Sequence, residues 1–94
     1  VHHLILGFDV GEDSPDPIAE RVELYTALAE TLPGILVADL LKTDVYLVGL
    51  TPGQHRKQGE AAATVLHLWD QQHAGRLRWF VQIVAPDYRK LYAN

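Results

Sequence analysis

The run Thr51-Pro52-Gly53-Gln54-His55-Arg56-Lys57 holds the densest set of residues able to do chemistry. Thr51 as a cap and Pro52 at a first helical position open a helix there. The free amides and the dipole of that end favour acids, and bases cost about 0.3–1 kcal/mol each. Three basic side chains stand there instead, His55, Arg56 and Lys57. Positive charge in a locally unfavourable place suits a bound anion: a phosphate, a carboxylate or the acidic surface of a protein partner. The candidate anion site is therefore Gly53, Gln54, His55, Arg56 and Lys57. Pairing of the bases with Asp44 or Glu60 accounts for the same residues. The run lacks the G-x-x-x-x-G-K-S/T spacing of a nucleotide-binding loop.

A second cluster, Asp9, Glu12, Asp13 and Asp16, offers oxygen ligands for Mg2+ or Ca2+ but misses the glycine and glutamate positions of an EF-hand loop. An acidic loop capping a helix explains it equally well. Asp9-Val10-Gly11 looks like the first phosphate loop of actin-like and sugar-kinase ATPases. Those folds continue into a second antiparallel strand, whereas this chain turns helical at Pro17 and is too short for two domains, so nothing of that family is carried over.

Of the five histidines, His67 and His73 lie six apart, where a helical metal pair needs three or four. His2 and His3 point to opposite sides of a strand. No metal site and no cofactor is expected. Ser14 is the only serine and has no G-x-S-x-G turn around it. Cysteine is absent, which removes thiolate nucleophiles, thiolate metal sites and disulfides. No catalytic constellation is visible, and the expectation leans away from an enzyme.

The elements that must hold these residues follow from periodicity. His3 to Val10 alternates as a strand, with Leu4, Leu6, Phe8 and Val10 on one face. Asp16-Pro17 starts a helix whose stripe reads Ile18, Val22, Tyr25, Ala29 and Leu32, and Pro33-Gly34 stops it. Strands Ile35 to Leu40 and Val45 to Leu50 are close enough for a hairpin. A helix over about 54–73 buries Ala62, Val65, Leu66 and Trp69 and ends at Gly75. Leu77 to Val84 is the last strand, with Leu77, Trp79, Val81 and Ile83 on one side and Phe80, Gln82 and Val84 on the other. Both tryptophans are expected to be buried. Pro86 breaks the strand, and Asp87 to Tyr92 is expected to make a short helical turn.

The succession is the βαββαβ pattern of the ferredoxin-like fold. The expected architecture is a single α+β domain over residues 1–94: a four-stranded antiparallel sheet, two helices on one face and a short C-terminal tail. The runner-up, a small partly parallel sheet, is disfavoured because a connection of about four residues cannot make a parallel crossover.

If the helices cover one face, the other is left apolar. Its expected members are Ile5 and Gly7 of the first strand, Tyr46 and Val48 or their alternates of the third, and Phe80, Gln82 and Val84 of the last, with Ile5, Tyr46, Val48, Phe80 and Val84 as the candidate dimer interface. The alternative is a tail, Tyr88 to Tyr92, folded across them. The third strand, Asp44-Val45-Tyr46-Leu47-Val48-Gly49-Leu50, lacks the aromatics and the base of the RNA-recognition motif.

Composition narrows the rest. With 94 residues, 48% hydrophobic and 21% charged, the chain is an ordinary globular domain. Nine of the twelve acids and two of the eight bases fall in residues 1–44, within a net charge of −4. That balance opposes broad nucleic-acid binding. No apolar run spans a membrane and no signal pattern opens the chain, so a cytoplasmic location is expected. Val1 opens a chain without methionine, which suits a processed or truncated start. The expected function is a small homodimeric binding, regulatory or assembly module. The alternatives are a small dimeric α+β-barrel-like enzyme, with its pocket between the sheet and a helix, and an anion sensor built on the second helix.

Overall fold

The computed structural model describes residues 2–94. The elements in chain order are β1 (His3–Asp9), α1 (Pro17–Thr31), a 3-10 turn (Pro33–Val37), β2 (Asp39–Lys42), β3 (Val45–Gly49), α2 (His55–Gln72), β4 (Arg78–Ala85) and β5 (Tyr88–Ala93). The strands form one sheet in the order β2-β3-β1-β4-β5, and every neighbouring pair is antiparallel. The fold is thus a small α+β structure with two helices and five strands.

Five strands replace the expected four. The tail is not a helical turn but β5, because Pro86 and Asp87 make a two-residue connection and Ala85 pairs directly with Tyr88. The alternation of Tyr88, Lys90 and Tyr92 then places all three on the helix side of the sheet, opposite Ala85, Ile83 and Val81.

α1 starts as its sequence dictates: the Asp16 carboxylate accepts from the Ala19 amide at 3.1 Å and Pro17 leads the first turn. Its inward face matches the expected stripe in part: Leu32 is buried and Tyr25 and Ala29 pack against the core. Glu20, Leu24 and Leu28 are buried, while Ile18 and Val22 are 72% and 60% exposed. Glu20 takes an inward slot because Arg76 and the Ser14 hydroxyl meet it there. At the start of the helix this leaves Ile18 and Val22 facing solvent.

The expected strand Ile35 to Leu40 is also displaced. Pro33–Val37 coils into the 3-10 turn, which buries Ile35, and the Tyr25 hydroxyl donates to the Ile35 carbonyl at 2.7 Å. β2 therefore begins only at Asp39. Thr43 and Asp44 turn the chain into β3, with Asp44 at φ 55° and its carboxylate 3.1 Å from Arg21.

α2 packs on β4 through Gly59, Ala62, Ala63, Leu66 and Trp69. One core joins both helices to the inward residues Leu4, Leu6, Phe8, Val48, Trp79, Val81 and Ile83. The two tryptophans are buried as expected, Trp69 at 6% and Trp79 at 8% exposure. Leu4, Leu6, Leu24, Leu28 and Leu66 fill the centre of the space between sheet and helices with no exposed surface. A cleft of about 610 Å3 lies at the edge of that space between α2 and β5, lined by Glu60, His67, Lys90 and Tyr92 among others.

Candidate functional site

Among the described residues no element covers the face of the sheet away from the helices. Register places Ile5 and Gly7 of β1, Val45 and Leu47 of β3, and Phe80, Gln82 and Val84 of β4 on it. Leu91 of β5 joins them through its pairing with Gln82. Ile5, Phe80 and Val84 therefore lie where expected, and Tyr46 and Val48 do not. Val48 is fully buried opposite Leu4. Tyr46 stacks on Phe8, with ring centroids 6.1 Å apart, on the helix side. Strand parity decides this: once Val48 pairs with Leu4, Val45 and Leu47 must turn outward. The tail does not cover the face, since β5 widens the sheet instead. Asp9 and Arg78 face each other at one end of it, beside a surface cleft of about 720 Å3 that also takes in Gly7, Val45, Phe80 and Asn94.

The start of α2 divides the expected anion site. The helix begins at His55, and its cap residue, Gln54, makes no side-chain capping bond. Thr51 is not the cap. Its amide donates to Gln58 Oε1 at 2.9 Å, and Gln58 Nε2 donates to Thr51 Oγ1 at 3.2 Å. Gly53, at φ 79°, and Gln54, Arg56 and Lys57 are exposed. Arg56 lays its guanidinium over the Tyr88 ring, 4.4 Å from the centroid. His55 points the other way, into the protein, and is not part of that exposed group.

His55 instead meets His2 and Asp87. One ligand atom from each of these three residues lies within 4.8 Å of the other two. The His2 and His55 rings are 4.4 Å apart, and Tyr88 borders His55 at 5.9 Å. Spacing along the chain holds no trace of this group, because its members come from three separate segments: the residue before β1, the first residue of α2 and the β4–β5 turn.

A further polar cluster ties the acidic loop to the end of α2. Arg76 donates to Glu20 Oε2 at 2.5 Å and to the Val10 carbonyl at 2.6 Å, and the Ser14 hydroxyl also donates to Glu20. These bonds, from Arg76 above all and then Ser14, hold the Glu20 carboxyl below its ordinary range against the opposing effect of burial. His73 stacks on Trp69 at 3.6 Å. Two of the four carboxylates of the Asp9–Asp16 loop serve a turn and a cap, Asp9 accepting from the Gly11 amide and Asp16 capping α1, while Glu12 and Asp13 are exposed.

Compared with family models, with curated proteins and with solved structures, the chain finds no match.

Proposed function

We propose that this chain is a ferredoxin-like domain, widened by a fifth strand, that works as a homodimeric binding or assembly module through its open sheet face. The fold name is supported by the order β2-β3-β1-β4, with both helices on one side and β5 added at the edge. The self-association rests on one observation: Ile5, Val45, Leu47, Phe80 and Val84 form an apolar face that no described element covers.

A second copy is the occupant that the face fits. Five strands about 4.8 Å apart, four to eight residues long and about six on average, at roughly 3.3 Å per residue, make a face of roughly 500 Å2. Two such faces bury about 1,000 Å2, the lower bound for a specific interface. Its charged residues lie toward the rim in both signs, Asp39 and Lys42 on β2 and Arg89 on β5. A copy related by a two-fold axis can then set unlike charges opposite each other around a dry centre.

Sedimentation velocity from micromolar to several hundred micromolar should show a dimer, and Phe80→Glu should give a folded monomer. A wild-type monomer throughout that range overturns the proposal. So does a dimer that survives Phe80→Glu but is lost with Leu40→Glu, because pairing would then run edge to edge through β2.

A further inference from the structure

We propose that His2, His55 and Asp87 form a binding site for a divalent first-row transition ion of the zinc type. The site lies on the helix side, at the end of the sheet where β1 and α2 begin and β4 turns into β5, so it is independent of the open face.

The first reason is His55. Its side chain is buried at 9% exposure, and neither Nδ1 nor Nε2 has a hydrogen-bond partner. A neutral imidazole always carries one N–H and one lone pair. Buried polar atoms are nearly always satisfied, so an orphaned pair inside a protein calls for an unseen partner. An ion bound at the lone-pair nitrogen supplies one.

The second reason is the company His55 keeps. His2 and Asp87 bring a second imidazole and a carboxylate to within 4.8 Å of it. Two imidazole nitrogens, one carboxylate oxygen and no thiolate suit zinc, cobalt, nickel or copper(II) better than magnesium or calcium, which favour all-oxygen sets. Ligand atoms about 2.0–2.1 Å from a tetrahedral ion stand about 3.3 Å apart, so loading draws the three groups together. Asp87 is exposed in a two-residue turn and can make that approach. Three protein ligands leave the fourth position open to water or a small ligand. A bound ion would also join three segments distant in sequence and so stabilise the folded state.

The test uses the tag-free chain, stripped with a chelator and titrated with zinc chloride by calorimetry, with cobalt(II) as a spectroscopic substitute. One equivalent of zinc should bind, raise Tm, and give way to a tetrahedral visible spectrum when cobalt replaces it. His2→Ala and Asp87→Ala should each weaken zinc binding by more than the roughly 10–100-fold that loss of a mere outer partner costs. His55→Ala should abolish it, and the other two variants carry the test if that one does not fold. His67→Gln, an exposed histidine elsewhere on α2, should bind zinc like the wild type. Absence of saturable binding overturns the site. Wild-type affinity in both His2→Ala and Asp87→Ala does so too. So does a loss of metal-free stability in Asp87→Ala with zinc binding intact, which would make Asp87 an internal partner of His55.

Discussion

The ring of Phe80 lies over Gly7 across the β1–β4 ladder, so close that a Cβ on Gly7 would sit 2.5 Å from the ring's Cε1. Only a residue without a side chain lets the ring settle onto the strand, which flattens the middle of the open face. Gly7→Ala should push the ring outward. Phe80 is only half-buried and can swing, so monomer stability should change by less than about 1 kcal/mol, the range of a cross-strand pair. Dimerisation should weaken, as measured by sedimentation beside chemical denaturation of the same sample. Unchanged self-association would place the contact away from Phe80.

Gly59 makes the opposite prediction from the one helix propensity suggests. Alanine in mid-helix is favoured over glycine by about 1 kcal/mol. Here an added Cβ would collide with Cδ1 and Cγ1 of Ile83, a fully buried side chain with no free space to retreat into. Overpacking of that kind costs about 1–3 kcal/mol. Gly59→Ala should therefore lower Tm by several degrees, since about 1 kcal/mol moves a domain of this size by roughly 4–8 °C. A raised Tm in a thermal melt would mean that α2 does not approach β4 this closely.

The Glu20–Arg76 pair is expected to contribute to the acid limb of stability. Glu20 has a folded pKa below its ordinary 4.5, chiefly through the Arg76 hydrogen bond. Its stabilising contribution is present in full above the unfolded value and is lost as pH falls through the folded one. Stability should decline from about pH 5 downward. Glu20→Gln should lower stability at neutral pH and make the acid limb shallower. Urea melts between pH 3 and 7 measure both. A parallel shift of the whole profile, with the slope unchanged, would show that Glu20 does not contribute to the limb.

Strands β1, β3 and β4 and helix α2 were legible in the sequence because their inward residues are apolar at the period of their element. Leu4, Leu6 and Phe8 alternate, and Trp79, Val81 and Ile83 do likewise. The start of α1 was equally plain, since Asp16 and Pro17 act locally. α1's inward face was legible only in part, because one of its buried positions is a glutamate whose partner, Arg76, lies far along the chain. Periodicity counts apolar residues and cannot register a buried ion pair. The tail failed for a related reason: Tyr88, Lys90 and Tyr92 become strand residues only because β4 offers an edge to pair with.

Local chemistry along the chain thus determined the types of β1, α1, β3, α2 and β4, the absence of thiol chemistry and the apolar character of one sheet face. Tertiary structure decided which side chains share a space. It turned Tyr46 and Val48 inward through the β1–β3 register and set the half-buried Val45 and Leu47 on the open face in their place. It took His55 out of an exposed basic run and set it, buried and without partners, beside His2 and Asp87. Spacing in sequence measures distance only within one helix or strand. Between segments, distance follows from strand pairing and from the packing of helix on sheet, and those are properties of the whole chain.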